Sequence, residues 1–156
     1  LESANSSQKM QEELLVMQQE AQEQLEVRVQ ERTLELVNHE FSHSFLRLLF
    51  EQHASRIEGS KALLEPIQSQ MKKQGYSNWN AVLNEHFVRA VTVTLSYQLG
   101  QTQGEKALAY EKSRHYIYID AVLESFESYL SQREAYPDFS SYFEQALSDI
   151  ENKEQS

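Results

Sequence analysis

His39, Glu40 and His43 stand in the pattern His-Glu-x-x-His. Residues four apart on an α-helix share a face, so two imidazoles at 39 and 43 can converge on one ion. Zn²⁺ suits a site built from imidazole and carboxylate, and a chain with no cysteine offers no thiolate alternative. Glu40 lies about 100° further round the helix axis, in reach of a water on the ion. Its carboxylate would take the proton of that water, whose pKa zinc lowers, as the hydroxide attacks a carbonyl. Glu40 is thus a general base, not a ligand. A catalytic zinc site has three protein ligands and leaves a fourth position to water, so a third ligand is needed. The longer zinc motif would put Gly and His where this chain has Leu46 and Leu49, so the third ligand must come from another helix. Glu85, in Asn84-Glu85-His86-Phe87-Val88-Arg89-Ala90, is the best candidate, with His86 as its neighbouring alternative. Arg89, one turn beyond Glu85, is placed to orient its carboxylate or to bind a substrate carboxylate. The plainer reading is a solvated helical Glu beside two surface or hydrogen-bonded histidines. A short motif has a real false-positive rate, and its helical, apolar-flanked context is what favours zinc here.

The elements that must position these groups read as helical. In 156 residues there are four Gly and two Pro, 40% hydrophobic residues and a net charge of −10. Few tight turns are available, and the apolar content suffices for one folded domain with an extended element. The acidic balance excludes generic binding to a phosphate backbone, which needs a basic face. No apolar run is long enough to span a bilayer and no signal peptide is visible. The chain opens on Leu1 and is expected to be part of something longer.

Residues 1–38 are rich in Gln and Glu and hold no aromatic residue, Gly or Pro. Met10, Leu14, Met17, Ala21, Leu25, Val29, Arg32 and Leu36 recur every three or four residues, a thin stripe that suits a coiled-coil seam. The rhythm continues through His39, His43, Leu46 and Phe50, which predicts one helix from about residue 8 to about 57. Pro66 opens or interrupts the next segment. Residues 79–99 form another strong helix, although the β-branched run Val91–Thr94 also suits a strand. Gly100 and Gly104 bracket an expected loop. Helices are predicted from about 105 and over about 116–131, and a last one begins at Asp138 or Ser140 as cap. The tail from Glu151 is expected to fray. The architecture is therefore mainly all-α, a long N-terminal helix running into the His-Glu-x-x-His segment and packing with three to five further helices. The divisions are a linker or coiled-coil helix over 1–38, a helical domain over 39–150 and a tail over 151–156.

Two resemblances add to this. Gln22 to Leu36, Gln-Glu-Gln-Leu-Glu-Val-Arg-Val-Gln-Glu-Arg-Thr-Leu-Glu-Leu, resembles the signalling-helix linkers of bacterial sensor kinases and diguanylate cyclases. From His39 to about Ile150 the chain resembles a family of bacterial zinc-peptidase-like domains of unknown function. That likeness rests on His39-Glu40-Phe41-Ser42-His43-Ser44-Phe45, Asn84 to Ala90, Arg114-His115-Tyr116-Ile117-Tyr118-Ile119 and Tyr136-Pro137-Asp138-Phe139. It implies His39, His43 and Glu85 as zinc ligands and Glu40 as base. Zinc peptidases of this kind usually carry a β-sheet whose edge strand holds the substrate backbone, and here a linker-type helix stands in that place.

Among the remaining aromatics, His115 and Tyr118 are candidates for stabilising the oxyanion of a tetrahedral intermediate. Tyr116 reads as core, and core filling is the plain alternative for Tyr118 too. His53 is expected at the surface, and Trp79, Phe126 and Tyr129 in the core. The functional expectation is a zinc-dependent hydrolase acting on a peptide or protein substrate. The rival is a non-catalytic helical module, paired with a second copy through its N-terminal helix, in which the metal site is vestigial or structural. The linker resemblance implies the cytoplasm and the peptidase-like one export; the cytoplasm is the expectation, with substrate and cleavage preference left open.

Overall fold

The computed structural model describes the backbone of residues 2–155 and the side chains of residues 3–28, 43 and 45–154. Among the described residues there are helices and turns and no strand, so the all-α architecture holds. The elements are α1 (Glu2–Gln52), α2 (Ala54–Glu58), a 3₁₀ helix (Lys61–Ile67), α3 (Gln68–Lys73), α4 (Trp79–Leu99), α5 (Gln101–Ser113), α6 (Ile119–Ser131) and α7 (Phe139–Gln155). The chain divides into two compact units, Leu1–Asn38 and His39–Ser156.

In the first unit the described side chains, residues 3–28, are all exposed. The apolar stripe is among them: Met10, Leu14, Met17 and Leu25 are each more than half exposed. The stripe positions Val29, Arg32 and Leu36 lie outside the described side chains.

In the second unit α4 is the central helix. Asn78 caps it, its side-chain oxygen accepting the Ala81 N–H at 2.9 Å. Val82, Leu83, Phe87, Val88, Ala90 and Val93 are fully buried, and a helix so apolar around its circumference belongs inside. The β-branched run stays helical: the hydroxyls of Thr92, Thr94 and Ser96 donate to carbonyls four residues back and so find partners without leaving the helix. Against α4 packs the end of α1, through Leu46, Leu49 and Phe50, with Phe50 edge-on to Phe87 at 5.9 Å.

α1 begins at Glu2 and not near residue 8, and four boundaries in the second unit also differ from the sequence expectation. α1 stops at Gln52 and not near 57, because His53 leaves the helix conformation. Its ring packs on Phe143 at 5.0 Å and meets Ser140 Oγ at 3.2 Å, so His53 is largely covered and not a surface residue. No loop spans 100–104; α5 begins at Gln101 and includes Gly104. Gly104 is buried against Tyr97, and a Cβ there would lie 2.2 Å from the Tyr97 ring. α6 begins at Ile119, after a turn. Asp138 caps α7 as anticipated, accepting Ser141 N–H at 2.8 Å, but the helix runs on through residues 151–155, where Lys153 pairs with Glu124 at 2.7 Å.

Two helix ends share one design. After α3, Gly75 takes φ +95°, its N–H reaches Lys72 O and the Tyr76 N–H reaches Met71 O. After α5, His115 takes φ +69°, its N–H reaches Lys112 O and the Tyr116 N–H reaches Glu111 O. Both are Schellman caps, a motif whose left-handed position usually holds glycine. Gln74 ties them together: its amide donates to Arg114 O at 2.8 Å, and its oxygen accepts from the Arg114 guanidinium at 3.0 Å and the Tyr116 hydroxyl at 3.3 Å.

Two consequences are measurable by chemical denaturation. Gly104→Ala forces its methyl into the base of the Tyr97 ring and is expected to cost about 1–3 kcal/mol. His115→Gly relieves a left-handed side chain and is expected to hold or raise stability, by up to about 1 kcal/mol. A large loss in the second variant would show that the imidazole, not the backbone turn, is what this position contributes.

Candidate metal centre

α1 contributes His43 to the second unit, and α4 contributes Asn84, Glu85 and Arg89. His43 Nε2 lies 3.3 Å from Glu85 Oε1, across 41 or more residues of sequence. His43 Nδ1 lies 3.1 Å from Asn84 Oδ1. An imidazole that donates from Nδ1 to this amide oxygen turns the lone pair of Nε2 toward the carboxylate. In that tautomer both groups present lone pairs of the kind that a shared cation would take. Two ligands held ~2.0–2.2 Å from one tetrahedral ion stand about 3.4 Å apart, so the observed separation fits a shared Zn²⁺. The same distance also suits a protonated imidazole paired with the carboxylate.

Glu85 is only 6% exposed. Its second oxygen, Oε2, faces Arg89 Nε at 3.3 Å without the alignment of a hydrogen bond, and both atoms lack a hydrogen bond among the described residues. Arg89 commits its aligned bond elsewhere: Nη1 donates to Glu111 Oε2 at 2.8 Å. The guanidinium also lies over the Tyr116 ring, 4.4 Å from its centroid. Burial alone would lower the Arg89 pKa, but Glu111, then Tyr116 and Glu85, outweigh it and hold the group above its ordinary value. Arg89 is therefore a fixed cation. By formal charge Glu85, Glu111 and Arg89 together sum to −1, and Glu85 is the member that meets His43.

His86, the other candidate third ligand, sits apart from this pair. It is fully buried, donates from Nδ1 to Val82 O at 2.9 Å, and packs between the rings of Tyr116 and Tyr118 at 5.0 and 5.4 Å. Its Nε2 has no hydrogen-bond partner among the described residues. Burial drives its pKa down to about 4, so it stands neutral in the core. Glu85 and not His86 meets His43.

His39 and Glu40 lie within α1, one turn before and three residues before His43, but their side chains are outside the described residues. Tyr118 is 1% exposed; its hydroxyl donates to Leu63 O and its ring meets Trp79 edge-on at 5.9 Å. Burial pushes its pKa up to about 12. His115 is exposed on the turn after α5. No described contact joins either of them to His43 or Glu85. Tyr116 is core, as expected, with its hydroxyl on Gln74. Trp79 is core as well and donates to Ser60 Oγ at 2.8 Å. The three-residue clusters that could hold a metal number none among the described residues, because the described set at this point is His43 and Glu85.

No chemical motif singles out Glu111. Its signal was positional: Gly104, Ala107, Leu108 and Glu111 share one face of α5, and the structure turns that face inward. A charged residue at the end of an apolar stripe is the pattern that marks it. Beside His43 opens a cleft of about 460 Å³, lined by Arg47, Glu51, Asn80 and Asn84 among others. Arg47 and the two amides give it donors suited to carbonyl or carboxylate oxygens.

No curated protein and no solved structure matches the chain. Residues 24–148, most of its length, match the family described as a domain of unknown function, DUF4932. That description assigns neither zinc nor peptidase activity. The match covers α4, α5, α6 and the end of α1, and with them His43, Glu85, Arg89 and Glu111. The chain is a member of the DUF4932 family.

Proposed function

We propose that the unit His39–Ser156 is a zinc-dependent hydrolase domain acting on peptide carbonyls, in which His39, His43 and Glu85 hold the ion and Glu40 is the general base. The observation that carries this reading is the 3.3 Å approach of His43 Nε2 to Oε1 of the buried Glu85. The His-Glu-x-x-His spacing supports the other two roles, since residues 39 and 43 are one turn apart in α1. When bound, zinc supplies Lewis acidity and acidifies water. The chain's own groups do the rest. Asn84 fixes the tautomer and plane of His43, and Arg89 lies 3.3 Å from the far oxygen of Glu85 without a hydrogen bond to it. Glu40 takes the proton of the attacking water and returns it to the leaving amine. Arg47, Asn80 and Asn84 line the adjoining cleft, where a substrate backbone or its carboxylate would find donors. There is no edge strand among the described residues to hold that backbone, so side chains take this part.

Elemental analysis of the untagged protein is expected to find about one zinc per chain, and none after His43→Ala. Glu40→Gln is expected to keep the zinc and to lower hydrolysis of a fluorogenic peptide mixture by more than ~100-fold. Normal turnover in that variant would remove Glu40 from the mechanism.

A second reading is favoured by the exposed stripe Met10, Leu14, Met17 and Leu25. Four apolar side chains at coiled-coil spacing, each in water, are a seam without its partner. In this reading the first unit pairs with a second copy of itself, as the signalling-helix resemblance implies, and the second unit is a regulatory helical module. Light scattering is expected to show a dimer that becomes a monomer on deletion of residues 1–30. An unchanged mass would count against the seam. The two readings are compatible, because a pairing helix can present an enzyme.

A further inference from the structure

Glu111 touches neither His43 nor Glu85 in any described contact, yet it holds the residue that does. Arg89 stands between two carboxylates and divides itself unequally. Glu111 receives an aligned hydrogen bond of 2.8 Å from Nη1, whereas Glu85 receives a 3.3 Å contact from Nε with no hydrogen-bond alignment. All three groups are buried or nearly so, with side chains 8–14% exposed, so water does not level the competition. The Tyr116 ring under the guanidinium and the Gln74 bond to the Tyr116 hydroxyl fix the plane in which Arg89 lies. Arginine and a lone carboxylate prefer a two-pronged pairing that occupies both oxygens. Glu85 escapes that pairing, and its Oε1 is left to face His43.

We infer that Glu111 is a positioning residue that draws the Arg89 guanidinium away from Glu85, keeping Oε1 of Glu85 open as a cation ligand. The inference rests on the zinc reading of the site for its consequence, but its geometric core concerns only Arg89 and two carboxylates. Removing the Glu111 charge has two effects of the same sign. The guanidinium is released to pair two-pronged with Glu85, blocking Oε1. The buried set also goes from one net negative charge to none, so a cation is no longer favoured there. Neutralising Arg89 as well restores one net negative charge and removes the blocking group. A residue that merely supported the fold would not show this reversal.

The test compares the full chain with Glu111→Gln and with the double variant Arg89→Gln/Glu111→Gln, in two arms. The first is metal-free: a crystal structure of Glu111→Gln is expected to show the Arg89 guanidinium bonded to both oxygens of Glu85. Arg89 found still directed at residue 111, with Glu85 unmoved, overturns the inference. In the second arm, Zn²⁺ affinity is measured by competition with a chelating dye. Glu111→Gln is expected to bind about tenfold to a hundredfold more weakly than the parent, and the double variant to return to within about threefold of it. Equal weakening in both variants, or no change in the single one, also overturns it. A parent protein that binds no Zn²⁺ sinks the hydrolase reading alone, and the metal-free arm then decides the role of Glu111. Should Glu111→Gln not fold, Glu111→Asp, which withdraws the oxygen but keeps the charge, takes its place in both arms. Its expected results are a guanidinium shifted toward Glu85 and an intermediate affinity, and an unshifted guanidinium overturns the inference.

Discussion

A carboxylate cannot be taken out of water and left alone, and the second unit is arranged around one that has been. Glu85 is held from two sides, by His43 of α1 and by Arg89 one turn along its own helix. Arg89 in turn needs Glu111 of α5. The effective cost of burying each ion is several kcal/mol, recovered only when partners sit at the right distance. Three helices are therefore bound to one register. A slide of α1 by a single residue would carry the imidazole about 100° round the axis and leave Glu85 facing apolar side chains. The apolar contacts of Leu46, Leu49 and Phe50 tolerate small repacking far better than this pairing tolerates displacement.

Stability alone does not explain the set. Well-packed apolar residues in place of a buried ion group are often neutral or stabilising by about 1–4 kcal/mol. The same helices show that they can pack that way: Phe50, Phe87 and Phe143 meet within 6 Å of one another. The charged groups instead meet where α4 faces α1 and α5, and His43, which contacts Glu85, lines the neighbouring cleft. A charge set of this kind, beside an imidazole that lines a cleft, would have a use in the proposed site that an aromatic cluster does not: it would favour a cation there.

The turns bear on this site as much as the helices do. Gln74, at the end of α3, joins two Schellman caps and holds the Tyr116 hydroxyl, and the Tyr116 ring lies under Arg89. A path of direct contacts therefore runs from the Gly75 turn through Gln74, Tyr116 and Arg89 to Glu85 and His43. This gives His115 its part: it is the left-handed residue that lets the chain reverse after α5 and deliver Tyr116 to the guanidinium. An imidazole is tolerated in that conformation better than most side chains, though less well than glycine. Tyr118 works in a parallel way on the other side of His86, pinning the 3₁₀ helix through the Leu63 carbonyl.

What was legible in the sequence divides along the same physical line. Periodicity announces α4, α6 and α7, because their inward faces are continuous and apolar, and Asp138 before Phe139 is an unambiguous cap. Glu85 and Arg89 were legible for the opposite reason: charge inside the apolar run Val82–Ala90 has no bland explanation once that run is seen to be buried. Their pairing needs only the i, i+4 rule. Glu111 was hidden because Gly100 and Gly104 suggested a loop just where the face that carries it begins. A glycine can be required by a neighbouring ring instead of by a turn, and nothing in the local sequence distinguishes Gly104 against Tyr97 from a breaker. His53 was misplaced for a related reason. A lone imidazole among mainly polar neighbours reads as surface, but this ring is drawn down by Phe143 and Ser140 from 87 or more residues away. Local rules thus find the residues that carry charge into the core. The groups that balance that charge, and the turns that aim it, are set by distant contacts and become visible only in the assembled fold.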